Sequence, residues 1–327
     1  MERILVTGST GHLGDALVRT LRAAGRDVRG VDRLPAPTTD IVGSIVEPGV
    51  VERAMAGVTA VLHTATLHKP HVATHARQDF IDVNVTGTLH LLEAAARARV
   101  RAFIFTSTTS AFGDALSPPG DAPAAWIDED VAPIAKNIYG VTKLAAENLC
   151  ALAARNQGVP GLVLRTSRFF PEADDSADAR AAFADANLKV TEYLYRRVDV
   201  EDVVDAHLRA LERAGAIPFA PYIISATTPL HRDDVAALRR DAAGVIRRRL
   251  PDAAAAYDQL GWRLPPTLDR VYDNARARRD LGWQPRHDVA RVLARVRDTG
   301  DWRSPLARAI GIKGYHDGQL LGGLEPR

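Results

Sequence analysis

The feature that most constrains the fold is a run of three glycines, at positions 8, 11 and 14, close to the amino terminus. They follow a short apolar run at residues 4–7 and open an amphipathic stretch at 13–24. Glycine permits a tight turn after a strand, a close approach of the backbone to a bound group, and close packing of helix on strand. This order of strand, turn and helix predicts a loop that binds the pyrophosphate of a dinucleotide at a helix N-terminus.

Beyond this loop, apolar runs alternate with helical patterns through the first half of the chain. We predict further strands at 28–31, 60–63, 102–106 and 161–164, and helices at 50–56, 83–98 and 139–156. Several of the strands are uninterrupted runs of Val, Ile, Leu or Phe, as expected where helices cover both faces of a sheet. The repeated β-α-β pattern predicts an α/β fold of Rossmann type, with a doubly wound parallel sheet.

The alternation weakens after residue 165, and this change predicts the domain organisation. Residues 1–165 are expected to form the NAD(P)-binding domain, and 166–327 mainly a smaller C-terminal substrate-binding domain. Renewed helix and strand patterns indicate that 198–225 returns to the first sheet. We expect a loop at 113–133, a short helix or lid at 172–186, and a partly extended tail after residue 302.

Composition argues against several kinds of partner. The 327 residues carry 42 basic and 40 acidic side chains, a net charge of +2, so we expect no binding of nucleic acid or anionic membrane. Cys150 is the single cysteine, which rules out an intrachain disulfide. No apolar run is long enough to cross a bilayer, and the amino terminus lacks a signal-peptide pattern. These observations predict a cytoplasmic protein.

Asp32 ends the predicted second strand and bears on the choice of cofactor. Its carboxylate can accept hydrogen bonds from the adenosine ribose hydroxyls and would repel a 2′-phosphate, which favours NAD. The neighbouring Arg33 could instead bind such a phosphate, so NADP stays open as the alternative.

Tyr139 and Lys143 are four residues apart, which places them on one face of a predicted helix. A free phenol has a pKa of about 10, and a nearby ammonium group stabilises the phenolate and lowers that pKa. Three hydroxyl residues, Thr106, Ser107 and Thr108, end an earlier strand, and at the carboxyl end of a parallel strand they would face the ligand crevice. Together with the glycine loop, these residues predict proton transfer at a reacting oxygen.

With these motifs, the sequence resembles the extended short-chain dehydrogenase/reductases, the NAD-dependent epimerase/dehydratase family, over most of its length. Further segments carry the resemblance, at 61–66, 83–88, 112–113, 163–165, 200–203 and 281–285. The resemblance implies hydride transfer at a secondary alcohol of a sugar or nucleotide-sugar, and an NAD-dependent epimerase is our first hypothesis. A net NAD(P)-dependent dehydrogenase or reductase of a sugar-like compound is the second. A non-catalytic NAD(P)-binding regulator on the same fold is the third.

The resemblance also implies roles for individual residues. Thr108 takes the position of the catalytic hydroxyl, with the neighbouring Ser107 as the alternative, Tyr139 as the acid–base group and Lys143 as its partner. The residues expected to contact the cofactor are Gly8, Thr10, Gly11, His12, Leu13, Gly14, Asp32, Arg33, Ser44, Ile45, Thr64, Ala65, Thr66, Asn84, Thr106, Tyr139 and Lys143. The residues expected to contact the substrate are His68, Thr108, Arg168 and Arg263.

The chain departs from the family pattern in four places. One is the segment before Val200, where Tyr195, Arg196 and Arg197 give no clean match to the family's Arg that contacts a sugar-nucleotide diphosphate. Ser44 stands where an Asp often holds the adenine, and residues 166–171 replace an Asn and a Tyr-Gly-Pro-like turn. Thr109 and Ser110 follow Thr108, where sugar 4,6-dehydratases carry an Asp-Glu pair. Because two hydroxyls cannot act as acid and base near neutral pH, the resemblance does not extend to that dehydration.

Three histidines, His68, His71 and His75, lie close together after the fourth strand. Three histidines can form a zinc site, but a proline interrupts any regular helix face here and no fourth ligand is evident. We therefore predict no metal, and place this segment near the substrate.

Two predicted helices, 83–98 and 139–156, carry apolar residues on more than one face. One face would pack on the sheet, and another could form a four-helix seam with a twofold mate. Members of the resembling family commonly pair in this way, so we predict a homodimer.

Overall fold

The computed structural model describes residues 2–174 and 176–313, and its main sheet has seven parallel strands in the order β3-β2-β1-β4-β5-β7-β8. A second, two-stranded sheet pairs β6 with β9, also in parallel. The strands are β1 Arg3–Thr7, β2 Asp27–Asp32, β3 Ile41–Val42, β4 Ala60–His63, β5 Ala102–Thr108, β6 Ala125–Ile127, β7 Gly161–Thr166, β8 Pro221–Ile224 and β9 Arg270–Tyr272.

Helices connect these strands and lie close to the predicted positions in the first half of the chain. They are α1 His12–Ala23, α2 Pro48–Met55, α3 Arg77–Phe80, α4 Gly87–Ala98, α5 Ile138–Gln157, α6 Ala177–Ala182, α7 Asp185–Glu192, α8 Val200–Arg213, α9 Val235–Arg249, α10 Pro251–Gln259, α11 Ala275–Leu281, α12 Val289–Thr299 and α13 Pro305–Ile310. A π-helical segment, Ile81–Thr86, joins α3 to α4. Within the described ranges, no helix has both the length and the apolar character needed to cross a bilayer.

Two hydrophobic cores cover the two faces of the main sheet. Successive residues of β1 point to opposite faces, so Ile4 and Val6 join the core beneath α1, α8, α11 and α13, while Leu5 joins the core beneath α2, α4 and α5. Burial on both faces explains the uninterrupted apolar runs of the strands. The predicted doubly wound α/β fold is confirmed.

The later part of the chain divides between this sheet and a separate group of helices. The segment 198–225 contains α8, which packs against α1, and β8, which is the last strand of the main sheet. Helices α7, α10 and α12 share another core, centred on Tyr193, Tyr257 and Val292. Beyond 225, α11 and α13 also pack on the main sheet, a placement that the sequence patterns did not indicate.

Two local expectations need revision. The segment 113–133 was expected to be a loop, but residues 125–127 within it form β6 and pair with β9 at residues 270–272. The partner strand β9 lies about 145 residues further along the chain, so no local sequence pattern predicts this pairing. The tail beyond residue 302 includes helix α13, and its residues 314–327 lie outside the described residues.

The outer surfaces of α4 and α5 bear on the predicted homodimer. These helices pack against each other, and they leave Leu89, Val141 and Leu152 exposed, each 38% or more. We expect light scattering at micromolar concentration to give twice the 35.4 kDa mass of one chain. A Leu152→Glu substitution should shift the mass toward the monomer, because it places a charge in the apolar seam. A monomeric mass for the unaltered protein would contradict the prediction.

Candidate active site

A cavity runs along the carboxyl ends of the central strands, where the strand order reverses between β1 and β4. Ligands of open α/β sheets bind at such a reversal. The predicted cofactor contacts that line the cavity are Gly8, Thr10, Gly11, His12, Leu13, Gly14, Asp32, Arg33, Ser44, Ile45, Thr64, Ala65, Thr66, Thr106, Tyr139 and Lys143. The fold therefore brings this dispersed set together at one cavity.

The glycine loop leaves no space for side chains beneath the cavity. Gly8 has a φ of +69°, and a Cβ placed on it would lie 2.8 Å from the backbone of Ala65. A Cβ on Gly14 would lie 1.9 Å from the carbonyl oxygen of Gly8. Because neither position tolerates a side chain, the loop backbone and the first turn of α1 remain open to a close-lying phosphate. The residues present here fit the pyrophosphate of a dinucleotide.

Asp32 is fixed beside this loop. One carboxylate oxygen accepts a hydrogen bond from the Thr10 amide at 3.0 Å, and the other accepts one from the Leu34 amide at 3.1 Å. A carboxylate has about four acceptor positions, so each oxygen retains capacity for a ribose hydroxyl. The neighbouring Arg33 is exposed.

We expect Asp32→Ser to narrow the preference for NAD over NADP, because the substitution removes the negative charge that repels a 2′-phosphate. Calorimetric titration of both cofactors should show weaker NAD binding by about tenfold or more, from the loss of charge-assisted hydrogen bonds. Asp27→Asn is the matched control, since Asp27 lies at the opposite end of β2 and pairs with Arg3 at the surface. Tighter binding of NADP than NAD by the unaltered protein would mean that Arg33 dominates.

Asn84 does not line the cavity, although it was expected to contact the cofactor. Its side chain carbonyl accepts hydrogen bonds from the Leu67 amide at 2.8 Å and the Thr66 hydroxyl at 2.9 Å. Its amide group donates to the Leu67 carbonyl at 2.9 Å and to the Thr142 hydroxyl at 3.0 Å. Asn84 therefore does not face the cavity. Its hydrogen bonds hold the loop after β4 against α5.

Two buried histidines hold hydroxyl groups at the base of the cavity. The Thr7 hydroxyl lies 2.7 Å from Nδ1 of His63, whose Nε2 lies 2.9 Å from the Thr88 hydroxyl. Nδ1 of His207 donates to a backbone carbonyl, so its Nε2 accepts from the Thr106 hydroxyl at 2.8 Å. Burial lowers the pKa of His63 to about 3 and that of His207 to about 4, so both are neutral supports at physiological pH.

The predicted catalytic residues converge between two cavities. Tyr139 is buried at the start of α5 and lines both the cofactor cavity and a second cavity, which Thr108 also lines. Nζ of Lys143 donates to the Thr106 carbonyl at 2.6 Å and lies 4.0 Å from the centroid of the Phe105 ring. Tyr139 and Thr108 border the second cavity together, and the Thr108 side chain lowers the pKa of the phenol.

Burial governs the protonation of this pair. It raises the pKa of Tyr139 to about 12, and the Thr108 side chain lowers that pKa only in part. Burial also lowers the pKa of Lys143 to about 7, against the opposing effect of the Glu147 carboxylate. The sequence pattern predicted a lowered phenol pKa, and the structure shows the opposite in the protein alone, because desolvation of a phenolate outweighs its favourable neighbours.

A buried ion pair that the sequence did not reveal lies beneath these residues. The Arg165 guanidinium donates to Glu147 through Nε at 3.1 Å and through Nη2 at 2.7 Å. The Ser107 hydroxyl donates to the same carboxylate at 2.5 Å. Glu147 lies one helical turn after Lys143 on α5, so its negative carboxylate is on the same helix face as the Lys143 ammonium group.

The second cavity lies on the other side of Tyr139 and contains three of the four predicted substrate contacts, His68, Thr108 and Arg168. The guanidinium of Arg168 pairs with Asp174 at 2.5 Å and with Glu192 at 3.4 Å. Residues that the sequence did not assign also line this cavity, namely Lys69, Lys136, Asn137, Ser167, Phe170, Glu172, Arg196, Arg270 and Tyr272.

Arg263, the fourth predicted substrate contact, lies outside both cavities. It is exposed, its guanidinium lies 5.2 Å from the centroid of the Phe183 ring, and it donates to the Ala182 carbonyl. Other residues, including Arg196 and Arg270, instead supply the cationic groups at the second cavity. The double arginine before α8 was a visible signal for Arg196, whereas nothing local distinguishes Arg270.

The three histidines after β4 line the cavities without forming a cluster of ligand atoms. His71 and His75 border the cofactor cavity, and His68 borders both. In the part of the chain that the structure describes, the group whose ligand atoms lie within 4.8 Å of one another is Asp199, Glu201 and His287. Burial lowers the pKa of His71 to about 4, with further contributions from His75 and Arg33.

Comparison with known proteins places these features in a wider context. The model of the NAD-dependent epimerase/dehydratase family matches residues 4–220. A 3-beta-hydroxysteroid dehydrogenase of Mycolicibacterium neoaurum is 26% identical, with 90% of each chain covered. A UDP-glucose 4-epimerase of Lactobacillus helveticus is 25% identical, with 88% of this chain and 93% of that protein covered. The crystal structure of a short-chain dehydrogenase/reductase superfamily protein from Agrobacterium tumefaciens with bound NAD is 27% identical, with a TM-score of 0.65 and coverage of 94% and 97%.

Proposed function

The chain belongs to the NAD-dependent epimerase/dehydratase family, and from this premise we propose that it is an epimerase acting at a secondary alcohol of a sugar or nucleotide-sugar. Membership confirms the predicted family and the expectation of an NAD-dependent enzyme. The observation that carries the proton-transfer chemistry is the position of Tyr139, which borders both the cofactor cavity and the second cavity, which we assign to the substrate and call the substrate cavity. A phenol at this boundary can exchange a proton with an alcohol that lies against the cofactor.

The proposed mechanism assigns one task to each catalytic side chain. NAD, held by the glycine loop and Asp32, would supply a reversible hydride acceptor for the carbinol carbon. Tyr139 takes the proton of the reacting hydroxyl and gives it back on the return step, while Thr108 holds that oxygen through a hydrogen bond. Because burial keeps the pKa of Tyr139 at about 12 in the protein alone, formation of the phenolate depends on positive charge brought near it. The Lys143 ammonium supplies part of that charge.

The lining of the substrate cavity favours a hydrophilic substrate. Five cationic side chains border it: Lys69, Lys136, Arg168, Arg196 and Arg270. Hydroxyl groups border it as well, on Thr108, Thr109, Ser110 and Ser117. A sugar or nucleotide-sugar presents hydroxyl or anionic groups that can hydrogen-bond with such side chains, and an apolar ligand presents none.

A second candidate function is net oxidation of a hydroxysteroid-like alcohol. The similarity to a 3-beta-hydroxysteroid dehydrogenase over 90% of the chain favours it. The same Thr108, Tyr139 and Lys143 would serve that reaction, so the catalytic residues do not separate the two candidates. The cationic side chains that border the substrate cavity are the observation that ranks the sugar first.

Purified protein should be incubated with NAD and a panel of free sugars, UDP-glucose, UDP-N-acetylglucosamine and a 3-beta-hydroxysteroid. The proposal expects an epimeric sugar product, seen by chromatography and NMR, with no accumulation of NADH. Release of NADH in proportion to an oxidised steroid would replace it with the second candidate. A 4-keto-6-deoxy sugar would contradict it as well, and would require an acid and a base that Thr109 and Ser110 do not provide.

A further inference from the structure

The loop that follows β7 forms the wall between the two cavities. Phe169 and Phe170 border both of them. The Phe170 ring packs edge-on against the ring of His12, with centroids 5.2 Å apart, and stacks on the ring of His68 at 5.5 Å. This wall therefore contacts the phosphate loop on one side and the histidine segment after β4 on the other.

Glu172 joins this wall to the phosphate loop. Its Oε1 lies 2.9 Å from Nε2 of His12, and both side chains are 5% exposed or less. His12 is the first residue of α1, directly after the glycine loop that follows β1, and Glu172 lies in the segment after β7, yet β4 and β5 lie between those strands in the sheet. Adjacent strands are about 4.8 Å apart, so the two segments reach each other across roughly 14 Å of sheet edge. The contact bridges the edge on which the cofactor cavity lies.

Several further contacts fix Glu172 in this position. Its Oε1 accepts a hydrogen bond from the Lys313 amide at 2.9 Å, and its backbone carbonyl accepts one from the buried Lys189 ammonium. The Lys313 side chain in turn pairs with Asp15 on α1 at 2.9 Å. Burial alone would raise the pKa of the Glu172 carboxyl, but the nearby His12 imidazole and the hydrogen bond from the Lys313 amide lower that pKa overall, which keeps the group ionised at neutral pH.

We propose that Glu172 is a cofactor-positioning residue that acts through His12. By holding His12 from the far side of the cavity, it fastens the loop after β7 to the phosphate loop and slows the release of NAD. The purpose of this contact rests on the proposed function, because an epimerase returns the hydride to its substrate and gains from keeping its cofactor between turnovers. Its measurement does not depend on that function, since release of the cofactor is observed without substrate.

The test is the rate at which the holoenzyme releases NADH when mixed with excess NAD, followed by NADH fluorescence. Glu172→Gln should raise the dissociation rate constant by about 10- to 100-fold, the effect expected from losing one buried contact to a charged group. His12→Gln should have a similar effect, and the double variant should release NADH no faster than the faster single variant, because both changes remove the same contact. Glu172→Asp, which keeps the charge but shortens the side chain, should fall between.

Glu201→Gln is the matched control. Glu201 also pairs with a histidine, His287, at 3.0 Å, but neither residue lines the cofactor cavity or the substrate cavity. The control should therefore leave the dissociation rate unchanged even if it lowers the unfolding temperature. Equal rates in Glu172→Gln and the unaltered protein, or additive effects in the double variant, would overturn the proposal. Faster release without any epimerase activity in the panel would support it while contradicting the proposed function.

Discussion

Turnover should fall by about 10²- to 10⁴-fold when Tyr139 is replaced by Phe, the usual contribution of general acid–base catalysis. The aromatic ring remains in the wall between the cavities, so the loss isolates the proton acceptor. The affinity for NAD should change far less, because the glycine loop, Asp32 and Lys143 keep their places in the cofactor cavity. The measurement is kcat on the substrate that the panel identifies, with calorimetric titration of NAD alongside.

Tyr222→Phe is a suitable control for this substitution. Tyr222 is a buried residue of β8 whose phenol lies 3.4 Å from Asp280, and it lines neither cavity. Its replacement should leave turnover near that of the unaltered protein. If Tyr139→Phe also turns over at a near-normal rate, the proton is carried by another group and the mechanism is wrong. The test applies equally to an epimerase and to a dehydrogenase, which differ in whether NADH accumulates.

The parts of this protein that the sequence could predict are those encoded by local patterns. The first strand, the glycine turn and the first helix follow one another within 23 residues, and the structure places them as β1 and α1. Helix α5 begins at Ile138, one residue before the predicted start, because Tyr139 and Lys143 recur at helical spacing and Asn137 caps the helix by accepting a hydrogen bond from the Gly140 amide. Motifs of this kind predict both the secondary-structure element and the face on which its functional side chains lie.

Residues assigned through resemblance alone were less securely placed, because resemblance gives a position along the chain and not the direction of a side chain. Asn84 was expected to contact the cofactor, but it does not line the cavity, and its side-chain amide hydrogen-bonds Leu67, Thr66 and Thr142 instead. Arg263 and Arg270 are seven residues apart, and only the latter lines the substrate cavity. The contact that directs Arg270, with the Leu116 carbonyl at 3.2 Å, joins residues 154 positions apart.

Electrostatic properties were the least accessible from sequence. From the spacing of Tyr139 and Lys143 we predicted that the Lys143 ammonium lowers the pKa of the phenol. That prediction did not include the effect of burying both groups. Both groups prove to be buried, and burial moves the two pKa values in opposite directions, to about 12 for Tyr139 and about 7 for Lys143. A charge that offsets part of this effect comes from Glu147, whose partner Arg165 lies on a different strand.

Glu147→Gln should consequently have two separate effects. The substitution keeps an acceptor for the Ser107 hydroxyl but leaves the Arg165 guanidinium buried without a counter-charge, which should lower the free energy of unfolding by about 3–5 kcal/mol. It also removes the carboxylate that raises the pKa of Lys143. In the unaltered protein Lys143 is protonated below about pH 7 and loses its charge as the pH rises through that value. In the variant this loss should occur at a lower pH.

Chemical denaturation and the pH dependence of NAD affinity measure these two effects independently. If the Lys143 ammonium contacts the cofactor as proposed, NAD affinity should decline with rising pH, and the decline should begin at a lower pH in Glu147→Gln. Arg165→Met tests the ion pair from the other side, because it leaves Glu147 unpaired while retaining a long apolar side chain. The double variant should be less destabilised than the sum of the two single variants, since the second substitution removes the charge that the first one stranded. Additive losses of stability would show that Glu147 and Arg165 act separately, and an unshifted pH profile would show that Glu147 has no influence on Lys143.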